Sequence, residues 1–550
     1  MLSGLLGELA RAGTQDEIWD ATVERVSQAA RTCDGMPTPG TYTGPVAHKG
    51  LLRYHEEAVR WATRMAQRFS PPEWLFYLRR SSGVFEANDH PTTAGYCQVV
   101  AEALSLRSRA RPPTLHLGDP SHAYGISEEV AHAILRFAEA VVLVYELHGT
   151  LRWAGKGAPV EFRIDAQPVV HPSTDLEAAV RLCDRRLGGN LLASLGVLSE
   201  PFPDQRSLGT DAFLPLWFGV PEPVPLPLLD GSGEVIEAWF IFRVLHLDRA
   251  PHLAYGSARL DETDVALIAV LLGAYFEKFI FGPELGQAAR VGYMHLKPPA
   301  LRGWLAYGLD VVSTGMFGDL INAEMIPGSP ERAIEVLNAI PPEVFPPKPG
   351  SPVRRTGLGY TLDLEGASWS LITRFRRLAV VGGPVANVRA HTFEEQVQEM
   401  IDQTPIRPRR EWRPYRGRIV RIAGEQITDI DALFEHDGHL VLVNCKSVPD
   451  SDDLERGDWR AIRNTVSRIH DDVAAWELKV DQLRQHPTGD NYDFTGASTI
   501  DALVVYPKAY FVPLGRATRE VLAGLPVVVG ASELSRWAEE PYDILRSERH

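Results

Sequence analysis

The chain has 550 residues, a length that points to three or four domains rather than one. Apolar residues make up 45% and charged residues 23%, the balance of a core-forming globular protein, which excludes wholesale disorder. Fifty-six basic residues against seventy-one acidic ones leave a formal charge of −15, so any nucleic-acid contact has to come from a local basic patch.

Only eight of the basic residues are lysines, which makes a lysine in an unusual place informative. Cys33, Cys97, Cys183 and Cys445 lie far apart and form no CxxC pair, so neither a disulfide framework nor a cysteine zinc site is expected. The opening MLSGLLGELARAG lacks a basic n-region and carries Glu8 too early for a secretory leader. The longest uncharged apolar run, Val265 to Phe276, is too short to cross a bilayer. A reducing, cytoplasmic setting without membrane association is the expectation.

In chain order, residues 1–200 read as a mainly helical region of unknown role. Leu51, Leu52, Ala58, Trp61, Ala62 and Met65 recur at helical spacing within His48 to Phe69. Ser127-Glu128-Glu129 caps a segment, Ala131 to His148, that is apolar nearly all round and therefore central. Residues 201–340 read as a mixed α/β region, with a turn at Asp230-Gly231-Ser232-Gly233, a strand over Val235 to Leu247 and a helix over about Glu262 to Phe281. The stretch Pro341 to Pro352 holds six prolines and predicts a stiff, extended connector within a 341–388 linker. Two short strands follow, Tyr360 to Leu364 and Trp369 to Phe375, and Gly382-Gly383-Pro384 makes a break. His116 and His122 flank a Gly-Asp-Pro turn, which reads as a plain polar loop.

Residues 389–550 say more. A helix opens at Thr392 with Phe393, Val397, Met400 and Ile401 on one side and Glu394 near its start. Arg416 to Ile422 predicts a strand, and Ile427 to Phe434 a second one with Asp429, Asp431 and Leu433 on one face and Ile430, Ala432 and Phe434 on the other. After Asp437-Gly438 comes an apolar strand, Leu440 to Ser447, on which Asn444 and Lys446 share a face opposite Cys445. Ile462, Val466, Ile469, Val473, Trp476, Val480 and Leu483 mark a long amphipathic helix. Strands at Asp501 to Tyr506 and Pro526 to Val529 and a short helix from Ser532 complete an α-β-β-β-α-β-β-α order.

A lysine in the run LVLVNC is costly to bury without partners. Two readings follow: Asp431, Asn444 and Lys446 converge on one point for chemistry, or they lie on an edge strand where Asp431 and Lys446 form a surface pair.

These residues resemble the PD-(D/E)XK, or restriction-endonuclease-like, nucleases over residues 390–530, under a third of the chain. The resemblance rests on Phe393-Glu394 in the first helix, on Asp431-Ala432-Leu433 and on the strand that ends in Lys446. It implies a multidomain α+β protein whose C-terminal α/β domain binds Mg2+ or Mn2+ and cleaves DNA or RNA, in a setting such as restriction or phage defence. By the family pattern Asp431 would bridge to the metal, the backbone carbonyl of Cys445 would be another ligand, Glu394 would hold an outer-shell water and Lys446 would orient or activate the attacking water; Asn444 would add its amide oxygen, and Asp429 would help to hold the ion. The sequence departs from the pattern at Asn444, where an acidic residue is expected two positions before the lysine. Asparagine offers a hard oxygen but no charge. The alternative is therefore a catalytically degenerate protein that binds nucleic acid or serves as a scaffold subunit.

For substrate contact, Ile406 to Arg421 holds seven arginines and one glutamate. Arg407, Arg409, Arg410, Arg413 and Arg416 would fork onto phosphates, and Trp412 and Tyr415 would stack on bases. The competing reading is a solvated loop whose arginines pair with the protein's own carboxylates. A homodimer or a partner subunit would be engaged through the N-terminal region.

Overall fold

The computed structural model describes residues 2–79, 81–85, 91–107, 124–164, 166–194, 224–227, 235–238, 263, 267–268, 270–271, 293–314, 327, 329–345, 347, 350–356, 359–364, 366–367, 370, 384–448 and 451–545. The histidines His116 and His122, the Asp230–Gly233 turn, most of the 262–281 helix and of the 369–375 strand, and the end of the 235–247 strand lie outside them.

The N-terminal region is helical, as its periodicity predicts: α1 (Leu2–Arg11), α2 (Thr14–Arg31), α3 (Gly44–Ala66), α4 (Pro71–Leu78), α5 (Pro91–Ser105), α6 (Glu128–Gly155) and α7 (Thr174–Ser194). A small antiparallel sheet joins β1 (Gly40–Tyr42), β2 (Val160–Phe162) and β3 (Val169–Val170). Ser127 caps α6 by accepting from the amide of Val130, and the helix is buried along most of its length around Ile134, Phe137, Val141 and Val144. It is the hub on which α1, α2, α3 and α5 pack. Of the apolar residues read along α3, Leu51, Ala58 and Ala62 are buried and Leu52 is exposed.

In the middle region β4 (Val224–Pro227) pairs with β5 (Val235–Ala238). Strand β6 (Tyr293–Leu296) is followed by helices α8 (Pro298–Thr314) and α9 (Pro330–Asn338) and then by β7 (Val353–Arg355) and β8 (Tyr360–Asp363). These strands make one antiparallel sheet in the order β6-β8-β7, so the strand expected at Tyr360 to Leu364 pairs with Tyr293–Leu296 and with a further strand, Val353–Arg355, that falls inside the expected linker. A buried ion network ties this sheet to the helical region. Arg79 bonds Glu102 through two nitrogens (2.6 and 3.0 Å) and Asp363 (3.2 Å), and Arg354 bonds the other oxygen of Asp363 (2.8 Å).

The proline-rich stretch is docked rather than free. Val344 and Phe345 are buried in the helical region's core, and the Phe345 ring stacks on His148 at 4.1 Å.

The C-terminal domain begins with α10 (Pro384–Asp402), which starts eight residues before the expected Thr392 and leaves Glu394 in mid-helix. Next come β9 (Arg418–Ile422), β10 (Glu425–Ile430), β11 (Ala432–His436), β12 (His439–Cys445), α11 (Asp452–Glu455), α12 (Trp459–Gln485), β13 (Thr499–Tyr506), β14 (Glu520–Leu522), β15 (Leu525–Pro526), β16 (Val528–Gly530) and α13 (Ala531–Glu539). The central sheet has the order β11-β12-β13-β16, with β11 and β12 antiparallel and the other pairs parallel. Its two faces are covered by different helices. Leu440, Leu442, Ile500 and Val504 pack with Ile469, Val473, Trp476, Val480 and Leu483 of α12. Val441, Val443, Leu503 and Val505 pack with Phe393, Val397 and Ile401 of α10 and with Leu534 and Trp537 of α13.

The chain from Ile427 to Phe434 is two strands broken at Asp431, not one. Ile430 accordingly joins Leu433 on the α12 side instead of facing with Ala432 and Phe434. The upstream half pairs with β9, the downstream half with β12.

Candidate active site

The break in the strand positions the acid. β11 runs opposite β12 with Ala432 across from Val443, so Asp431 lies beside Asn444, one step further along the ladder. Its carboxylate accepts the amide of Cys445 at 2.7 Å, and Gln398 of α10 donates to its backbone carbonyl. The Cys445 carbonyl projects to the same edge as its amide, because both groups of a strand residue point the same way.

Side-chain alternation along β12 sends Cys445 toward α10 and places Asn444 and Lys446 on the α12 side. Lys446 lies 3.9 Å from Asp472 of α12, and Asp472 accepts from the Tyr506 hydroxyl at 2.8 Å. Sequence reasoning missed Asp472, Tyr506 and Gln398. For Asp472 a signal existed: it directly precedes Val473 in the apolar stripe of α12, at the border of the sheet-facing side.

The charges at this end of the sheet act on one another. Burial pushes the Asp431 carboxyl up to about 7; the Cys445 amide opposes this, Glu394 and Asp429 reinforce it, and Lys446 opposes it. Glu394 is also raised, first by burial and then by Asp429, while His391 and Lys446 hold it down. Asp429 is exposed on β10 at the mouth of this group. The thiol of Cys445 is pushed up by burial and by Asp431, so it is an inert core group rather than a nucleophile.

Asn444 is 9% exposed, and its Oδ1 is buried without a hydrogen-bond partner among the described residues. An unmet buried acceptor costs about 1–3 kcal/mol, so this oxygen calls for a donor or a cation. Among the described residues no group of three or more His, Cys, Asp or Glu side chains could enclose a metal by itself. The donors that fit a hard cation are mixed: the Asp431 carboxylate, the Asn444 oxygen and the Cys445 carbonyl, with Glu394 and Asp429 nearby. All are oxygens, which suits magnesium or manganese.

The basic stretch is largely occupied by internal pairs. Arg416 forms a two-pronged pair with Asp402 (2.9 and 2.8 Å), and Arg407 lies 3.7 Å from the same carboxylate. Arg409 forks onto Glu435 and covers the Trp412 ring at 4.4 Å, and Arg413 donates to the Pro408 carbonyl. Trp412 is 2% exposed, a core residue beside Val420 and Phe494, which corrects the expectation that it stacks on bases. Tyr415 packs edge-on against Phe494 and its hydroxyl accepts the Asp493 amide. Arg410 remains exposed, as do Arg418 and Arg421 on β9, and among the described residues none of the three has an ion-pair partner.

No family model matches the sequence, and comparisons with curated proteins and with solved structures return no match.

Proposed function

We propose that the C-terminal domain is a metal-dependent phosphodiesterase that cleaves DNA or RNA, in the manner of the restriction-endonuclease-like nucleases. The observation that carries this reading is the juxtaposition of a buried Asp431, an unpartnered Asn444 oxygen and Lys446 at one end of a mixed sheet. A wholly structural strand end has little use for a buried carboxyl beside an unmet buried oxygen, because both cost free energy to place there.

A bound magnesium or manganese ion would neutralise the scissile phosphate and activate a coordinated water. Asp431, Asn444 and the Cys445 carbonyl would hold it. Glu394, raised by its half-buried position, would orient a water through a hydrogen bond. Lys446 would stabilise the charge developing on the attacking oxygen, with Asp472 and Tyr506 fixing its ammonium in place. Arg410, Arg418 and Arg421 would meet the phosphate backbone. Restriction or phage defence is a setting that rests on analogy alone.

A second reading is favoured by one residue. Asn444 removes a negative charge from the place where the family pattern has one, which suits a degenerate domain that binds nucleic acid or scaffolds a complex. Calorimetric titration of the full chain with Mn2+ separates the two. The nuclease reading expects saturable binding in the wild type and none in Asp431→Ala; heat-silent titration of a folded wild type supports the degenerate reading.

A further inference from the structure

A cavity of about 710 Å3 lies where the helical region, the proline-rich stretch and the C-terminal domain meet. Its walls come from α3 (Leu52, His55, Val59, Arg60), from α6 (His148, Leu151), from Glu343 to Phe345, and from Arg107 and Arg456. That volume is in the range of small-molecule sites, and domain junctions are where such sites concentrate.

The lining has two characters. Leu52, Val59, Leu151, Val344 and the Phe345 ring make an apolar wall, while Arg60, Arg107 and Arg456 contribute three guanidinium groups. The lining sets these three against two carboxylates, Glu56 and Glu343. Arg60 pairs with Glu57 and lies 3.8 Å from Glu56; Arg456 lies 3.9 Å from Glu343 and 3.6 Å from Asp453. Arg107 is drawn to Glu343 electrostatically but forms no ion pair among the described residues. His55 sets its ring 5.0 Å from Phe345 and has a buried Nε2 with no hydrogen-bond partner among the described residues. His148 is satisfied, since its Nε2–H donates to the Glu455 carbonyl at 2.7 Å. Burial keeps His148 neutral against the pull of that bond, and its ring face stacks on Phe345.

We infer that this cavity is a binding site for a small organic anion, a flat ring carrying one phosphate or carboxylate group, which Arg107 and Arg456 grip through the oxyanion while His55 and Phe345 meet the ring. Guanidinium forks match both kinds of oxyanion, and an apolar wall next to them matches a ring-bearing body better than a bare inorganic ion. The site stands apart from the strand end that holds Asp431, so it does not depend on the nuclease reading.

The test is thermal shift and calorimetry on the full chain with AMP and with benzoate as the two anion sources and adenosine as the uncharged control. We expect saturable binding of at least one anion at or below about 1 mM and none of adenosine. Arg107→Gln and Arg456→Gln should each weaken that binding about tenfold or more, equal to about 1.4 kcal/mol. Val59→Trp, which fills the cavity and removes no charge, should abolish it and serves if an arginine variant fails to fold. Absence of anion binding to the wild type overturns the proposal, as does binding unchanged in a folded Arg107→Gln, Arg456→Gln or Val59→Trp chain.

Discussion

The two readings of the C-terminal domain divide at Asn444, whose buried oxygen has no hydrogen-bond partner among the described residues. On the nuclease reading its neutral oxygen would supply a ligand without charge, so Asn444→Asp should tighten Mn2+ and Mg2+ binding by an order of magnitude or more, since even a well-screened carboxylate–dication contact is worth a few kcal/mol. Calorimetry of the two full-length chains reads this directly; equal affinities would show that position 444 faces no metal. On the same reading Lys446→Ala should leave nucleic-acid affinity within about twofold while removing cleavage, because its proposed work is in the transition state. Trp412 belongs to the other category. With 2% exposure and Arg409 over its ring, Trp412→Ala should cost about 3–5 kcal/mol of stability by chemical denaturation, a core effect rather than a binding effect.

At the scale of elements, periodicity fixed what alternation could not. The stripe Ile469-Val473-Trp476-Val480-Leu483 is strong enough to define α12 and its sheet-facing side from spacing alone, and the structure packs it there. The LVLVNC run of β12 was equally legible, because apolar residues fill both faces of a central strand. The break at Asp431 was not. Ile427 to Phe434 alternates well enough to pass for one strand, and only the change of partner from β9 to β12 reveals two. The start of α10 was hidden because a proline at its first position, Pro384, reads as a break as readily as a helix start. Charge counting misjudged the basic stretch for a different reason: the carboxylates that neutralise it, Asp402 and Glu435, come from neighbouring elements. The exposed arginines without an ion-pair partner among the described residues are Arg410, Arg418 and Arg421. If the domain is the proposed nuclease, replacing those three with alanine should flatten the salt dependence of its DNA binding by about two to three charges, measured as the slope of log K against log salt. An unchanged slope would move the substrate to another face.

On the scale of the whole molecule, the regions are fastened by buried contacts rather than strung on a linker. Arg186 of α7 forks onto Glu533 of α13 (2.8 and 2.9 Å), and both side chains are nearly inaccessible. Removing one partner of such a pair strands a buried charge, so Arg186→Ala should cost about 3–5 kcal/mol. Gly457 has φ 74° and lies so close to α6 that a Cβ would come within 2.8 Å of the Arg152 backbone. His148 belongs to the same junction. Burial, with help from Arg152 and His55, pushes its pKa down to about 3 from an ordinary 6.5. A depressed histidine contributes stability that is full above pH 6.5 and is lost as the pH falls toward the folded value, at about 1.4 kcal/mol per unit. Glu139, raised to about 7 chiefly by burial, works in the opposite sense between pH 7 and 4.5. Thermal melts of the wild type and His148→Gln isolate the first effect: the variant should be less stable at pH 7 yet lose less on going to pH 5. The proposed catalytic role of the far C-terminal site is tested most directly by incubating the full chain with single- and double-stranded DNA and RNA in Mn2+, beside Asp431→Ala. Cleavage by the wild type, stopped by a chelator and absent in the folded variant, is the predicted result; intact substrates with both chains, or equal cleavage by both, would contradict it.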